Sequence, residues 1–221
     1  MKTRMKYPFF DRSAARACAA VLLLLGAVSC AAPRFTAALP DLQREGATAI
    51  AFDAKVSEPV AGTKTVRPDD ELGRQGDRNI ADALLDNGFF PVDTVRRMST
   101  LPGTLAGAVR MVFTGSFNTP KRKLHTVIVP ERLQEEARLT GRRFLVIARP
   151  LGTFREREDK YDLEHSEAIL SLVVVDLQKK QVLYRGKNRM SIDPLWPENA
   201  RTQVRILLGD LFAGRITDAI D

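Results

Sequence analysis

The run Phe144-Leu145-Val146-Ile147-Ala148 restricts the fold more than any other part of this chain. It sets five apolar residues in a row with no polar alternation. A half-buried strand alternates apolar and polar residues, and an amphipathic helix repeats every three or four. A short unbroken run fits a central strand buried on both faces, which needs helices above and below the sheet. Ala168 to Val175 and Val182 to Tyr184 flank the polar turn Asp176-Leu177-Gln178-Lys179-Lys180-Gln181, the pattern of a β-hairpin. With 221 residues and 44% hydrophobic composition, the chain can bury one sizeable core. These features predict an α/β fold: a mixed β-sheet with a C-terminal β-hairpin and flanking helices, in a single domain.

The remaining elements follow from local patterns. Thr48 to Val56 reads as a half-buried opening strand, with Ile50, Phe52, Ala54 and Val56 inward. A helix capped by Asp69 or Asp70 runs to about Asn87, stops at Gly88 and buries Ile80, Ala81, Leu84 and Leu85. Phe89 to Asp93 is a short strand, and Pro91 places it at an edge. Leu105–Phe113 reads as helix and Val127–Val129 as a strand. Pro130 opens a helix carrying Leu133, Ala137 and Leu139, closed by Gly141. Asp193-Pro194 and Pro197 introduce a last helix with Ala200, Val204, Leu207, Leu208, Leu211 and Ile216.

The N-terminus has the layout of an export signal. Lys2, Arg4, Lys6, Arg12 and Arg16 precede the apolar stretch Ala17 to Val28, which ends at the small residue Ser29. That stretch is too short for a comfortable bilayer span, which takes roughly 20 residues. Residues 1–29 hold five of the 34 basic and one of the 27 acidic residues, so the remainder carries a net charge of only +3. A mild excess without aromatic interleaving gives no reason to expect nucleic-acid binding. The dense basic cluster Lys121-Arg122-Lys123 reads as a solvated loop, with a contact to anionic headgroups or polymer as its alternative.

Ala27-Val28-Ser29-Cys30 resembles the lipobox of bacterial lipoproteins, although that family usually has Leu at the position of Ala27. The resemblance implies cleavage between Ser29 and Cys30 and diacylglycerol on the Cys30 thiol. It also implies membrane attachment through the N-terminal lipid in the bacterial cell envelope. Ala31 favours the periplasmic face of the outer membrane, since Asp there is the usual inner-membrane signal. The alternative is an ordinary signal cut that leaves Cys30 a free thiol. The organisation expected is therefore 1–29 signal peptide, 30–46 lipidated tether and 47–221 periplasmic α/β domain. Cys18 leaves with the signal, so no internal disulfide or thiolate metal site is available.

No catalytic motif stands out. His165 lies in Asp162-Leu163-Glu164-His165-Ser166-Glu167, beside the charged run Arg155 to Lys160. The spacing matches no zinc motif, and a solvated loop is the simpler reading. His125 has no metal-ligand spacing either. Gly73-x-x-Gly76 is too short for a phosphate loop. Trp196, between Pro194 and Pro197, reads as a cover for the core edge or as an anchor for a protein partner.

The helix end Ile80 to Gly88 before Phe89-Phe90-Pro91-Val92 gives one half of a larger pattern. Thr140 to Ala148, and the hairpin Ile169 to Leu177 with Gln181 to Gly186, give the other. Together they resemble the periplasmic α/β domain of curli-secretion-channel lipoproteins and of lipoprotein activators of penicillin-binding proteins. Within that resemblance, an Asp precedes the hairpin turn and an aromatic-x-Gly follows it. It supplies no catalytic residue, metal or cofactor. It implies a non-enzymatic module that binds an envelope protein or its own copies. A pore is disfavoured, because Arg110, Lys121, Arg122 and Lys123 interrupt the segment that would supply membrane strands. The reading from another class is an envelope hydrolase or ligand-binding lipoprotein that uses residues 162–167.

Overall fold

Strand β4 (Phe144–Thr153) occupies the middle of the sheet, as its apolar run requires. The structure is a computed structural model that describes residues 37–53, 55–56, 71–153, 167–191 and 197–214. In chain order it holds α1 (Leu39–Glu45), β1 (Ala47–Ala51), β2 (Lys55–Val56), α2 (Glu71–Leu85), β3 (Val92–Arg97) and α3 (Gly103–Asn118). Next come α4 (Glu131–Thr140), β4, β5 (Glu167–Asp176), β6 (Gln181–Ser191) and α5 (Pro197–Phe212). Tight 3-10 turns at Met98–Thr100 and Lys121–Thr126 flank α3.

The sheet order is β3-β1-β4-β5-β6, with β2 paired to β4 beyond β1. β1 runs parallel to both β3 and β4, whereas β4–β5 and β5–β6 are antiparallel. The mixed α/β sheet with a C-terminal hairpin is thus present. β3 is an edge strand, but it runs over Val92–Arg97 rather than Phe89–Asp93, so Pro91 precedes it instead of lying within it, and β5–β6 is a long antiparallel pair.

Alternation along β4 and β5 divides the core. Phe144, Val146, Ala148, Leu170, Leu172 and Val174 join the cluster on the face covered by α1, α2 and α5. Leu145, Ile147, Val173 and Val175 join the other, beneath α3 and α4. Each such Val, Leu, Ile or Phe side chain contributes about 1.5–3 kcal/mol when fully removed from water. Both faces are therefore apolar, which is why β4 shows no polar alternation.

Several expectations need correction. Residues 39–45 were expected in the tether, with the domain starting at 47. They form helix α1 instead, and Ala38, Leu39 and Leu42 are buried in the first cluster. β1 is buried along its whole length, because β3 and β4 flank it and helices cover it. The opening strand also breaks after Ala51, and pairing resumes at Lys55. In α2, Ala83 rather than Ala81 joins Ile80 and Leu84, and Leu85 is 45% exposed. At about 100° per residue, Leu85 points some 140° away from Ile80. Leu139 is 83% exposed for the same reason, and Glu136 takes the inward place beside Leu133. Val127–Val129 forms no strand; Val127 and Val129 are buried while Ile128 is exposed.

The helix stop at Asn87-Gly88 is chemically complete. The Asn87 amide donates to the Leu84 and Phe90 carbonyls at 2.8 and 2.9 Å. Its oxygen accepts from the Phe89 and Phe90 amides at 2.8 and 3.1 Å. Gly88 supplies the positive φ of 80°.

Candidate functional site: the basal end of the sheet

Cys30, Ser29, Trp196 and Asp162–Ser166 lie outside the described residues, as do Arg155–Lys160, Pro194 and Ile216. Glu167 opens β5, paired in register with Thr153 and Ser191. His125 is exposed in the Lys121–Thr126 turn, as are Arg122 and Lys123. The segment proposed as too basic for membrane strands is helical over Gly103–Asn118.

A dense polar constellation among the described residues lies at the end of the sheet where β1, β3 and β4 begin. Ala47 pairs there with Val92 and Phe144, and the β5–β6 turn returns to the same level, since Asp176 pairs with Phe144 and Gln181. Arg143 is its hub. Its Nε and Nη2 donate to Asp176 Oδ2 at 3.1 and 2.8 Å, and its Nη1 donates to Asp41 Oδ2 at 2.8 Å. The other Asp176 oxygen accepts the Lys179 amide at 2.9 Å, which closes the hairpin turn. The Arg143 carbonyl accepts the Leu177 amide at 2.9 Å, and its guanidinium lies 4.7 Å from the Phe144 ring centre. Arg142 donates to the Glu45 carbonyl and pairs with Asp93. Three separate segments, α1, the start of β3 and the hairpin turn, are thereby joined through two adjacent arginines.

The Asp176 side chain is fully buried and that of Arg143 is 13% exposed. The bond from Arg143 holds the Asp41 carboxyl below its ordinary range, and the bonds to Asp176 and Asp41 push the Arg143 guanidinium up against the opposing effect of burial. A carboxylate held by a guanidinium in this way is a poor proton acceptor. The constellation is therefore a lock between elements. Among the described residues, no group of three His, Cys, Asp or Glu is placed to hold a metal ion.

A second arrangement stands on the α3 face. Phe52, Phe113 and Phe117 pack in sequence with their rings tilted by 51° and 43°, ring centres 5.0 Å apart in both pairs. Arg149 lies 5.6 Å from Phe52 and 5.7 Å from Phe113, and Arg185 lies 5.5 Å from Phe117 while donating to its carbonyl at 2.8 Å. Cation–π contacts of this kind fix both guanidinium groups against α3.

Sequence reasoning missed Arg143 and its partners as a unit. The signals available were Asp176 before the hairpin turn and the Asp41/Arg44 placement at the ends of α1. No family model matches the chain, and no curated protein matches it. It is similar to solved structures that include the PelC dodecamer from Paraburkholderia phytofirmans (11% identity, 76% of this chain and 88% of that one, TM-score 0.36). They also include the C-terminal domain of LpoB from Escherichia coli (10% identity, 72% and 96%, TM-score 0.32). The lipoprotein GNA1162 from Neisseria meningitidis is similar as well (14% identity, 79% and 99%, TM-score 0.30). At these identities and TM-scores, none of the three assigns a role to this chain.

Proposed function

We propose that the chain is an envelope lipoprotein whose domain works without catalysis, as a protein-binding or complex-assembly module. Its leader is removed after Ser29. Cys30 becomes the acylated N-terminus, and the lipid holds the protein at the periplasmic face of the outer membrane. The partner is an envelope protein or further copies of the chain, with Trp196 as a partner anchor.

The observation that carries this reading is the basic-apolar-small leader ending in Ala27-Val28-Ser29-Cys30. The basal lock supports it. α1, which begins nine residues after Cys30, is joined to the domain through Arg143 and Arg142, so the tether leads into a fixed element. Non-enzymatic action is supported by how the buried acids are used: Asp176 and Glu136 are bound to Arg143 and Arg96, and Asp77 lies 3.7 Å from Arg97.

Cys30→Ser is expected to abolish labelling by radioactive palmitate and to leave an unprocessed or soluble form. Persistent labelling of that variant would show the lipobox reading to be wrong. Crosslinking in detergent-solubilised envelopes, with wild type against Trp196→Ala, then identifies the partner and tests its anchor.

A further inference from the structure

The basal end carries a surface that the lock does not use. Its carboxylates are occupied: Asp41 and Asp176 by Arg143, Glu45 by Arg44, Asp93 by Arg142, and Asp86 lies 3.9 Å from Arg201. Arg138, Lys179 and Lys180 remain, all exposed and in no ion pair among the described residues. Lys179 and Lys180 form the tip of the β5–β6 turn, where Lys180 adopts a φ of 55°. Arg138 is in the last turn of α4, which reaches this end because Gly141 stands three residues before the start of β4. Next to it, Leu139 is 83% exposed on a helix that buries Leu133 completely.

We infer that this basal end is a membrane-contact face. It rests on the phospholipid headgroups of the leaflet that holds the Cys30 acyl chains, with Lys179, Lys180 and Arg138 against phosphate and Leu139 in the interfacial layer. The inference rests on the lipoprotein reading. Exposed cations beside an exposed apolar side chain, with the nearby acids already paired, match an interfacial surface. The tether supplies the direction. Ala37 is seven residue steps from Cys30, and a chain reaches at most about 3.3–3.6 Å per residue, or roughly 25 Å. α1 enters at the basal end and is held there by the Asp41–Arg143 bond, so the acyl chains restrain this end. The opposite end is a full strand away, about 30 Å for ten residues. Confinement of this kind raises the local concentration of headgroups at the basal lysines without any new contact.

The test uses the mature acylated protein. Cys18 leaves with the signal and acylation consumes the Cys30 thiol, so an introduced cysteine is the only free one. Leu139→Cys, Lys180→Cys and Thr104→Cys each receive an environment-sensitive fluorophore in vesicles of phosphatidylethanolamine and phosphatidylglycerol that contain spin-labelled lipid. Thr104 is exposed and follows the far end of β3, so it reports the opposite pole. The labels at 139 and 180 are expected to shift to the blue and to be quenched several-fold more than the label at 104. The Lys179→Glu/Lys180→Glu pair on the Leu139→Cys background, or raised salt, is expected to bring quenching down to the level of Thr104. Equal quenching at 139 and 104, or quenching at 139 that ignores charge reversal, overturns the inference while the protein still floats with vesicles. A blue shift at 139 that depends on protein concentration without vesicles overturns it in favour of a second copy. A product without acyl mass on Cys30 overturns the anchoring reading, and this inference falls with it.

Discussion

Arg143 joins a fully buried carboxylate to a partly buried one, and the two contacts differ in consequence. Arg143→Met would leave Asp176 buried without its cation. Removing one member of a buried pair typically costs about 3–5 kcal/mol. We expect a destabilisation of that order in urea unfolding, and Arg143→Met/Asp176→Asn should recover part of it, since the buried charge is then gone. A loss under about 1 kcal/mol, the scale of exposed pairs, would mean that Asp176 is solvated in solution. Asp41 gives a signature in pH. Its folded pKa is depressed, first by the Arg143 bond, so its contribution is present above the unfolded value near 3.9 and is lost as pH falls through the folded one. The Tm advantage of wild type over Asp41→Asn should be constant from neutral pH down to about 4 and shrink below it. An advantage that persists unchanged to the acid limit would exclude the bond. Neither contact was legible in the sequence. Arg143 and Asp176 are 33 positions apart, and only the β4–β5 register brings them together.

At the level of elements, the β5–β6 pair is built around a bulge between Val174 and Val175, which brings Leu183 and Tyr184 both into the first core cluster. The Tyr184 ring then lies over Gly186. A Cβ there would stand 2.0 Å from the Tyr184 hydroxyl oxygen and 2.5 Å from Cζ. Burial, with Asp210 nearby, pushes the Tyr184 hydroxyl pKa up, as expected of a ring held inside the core. Gly186→Ala must displace that ring, and overpacking of this kind typically costs about 1–3 kcal/mol. In the Tyr184→Ala background the same substitution should cost much less, a coupling that a double-mutant cycle of Tm or urea midpoints reads directly. Equal costs in both backgrounds would remove Tyr184 from the explanation. β4 and the hairpin were readable because their apolar runs have one structural solution. In α2 and α4 the sequence pattern misplaces Leu85 and Leu139, apolar residues that stand off the helical stripe. Val127-Ile128-Val129 has the β-branched composition of a strand, yet such composition specifies no pairing partner.

For the whole molecule, the sequence indicates which strands carry the core, whereas the basal surface exists only once α1, α4 and the hairpin turn meet. The domain's beginning is the clearest case. Residues 39–45 hold only Leu39 and Leu42 as large apolar groups, too few for a periodicity, though Pro40, Asp41, Arg44 and Gly46 give the start and stop signs of a helix. Unacylated chains beginning at Ala37 and at Ala47 separate the two boundaries. The shorter one loses the burial of Leu39 and Leu42, which are 8% and 0% exposed. At about 1.5–3 kcal/mol per side chain, that loss is roughly 3–6 kcal/mol, a large share of the 5–15 kcal/mol typical of a folded domain. It also deprives Arg143 of Asp41 and Arg142 of the Glu45 carbonyl. The chain from Ala37 should therefore unfold cooperatively. The chain from Ala47 should show a Tm lower by several degrees or more, with faster hydrogen exchange where α2 and α5 cover the exposed groove. Equal Tm values and equal exchange would return α1 to the tether and remove the fixed point on which the proposed membrane-contact face rests.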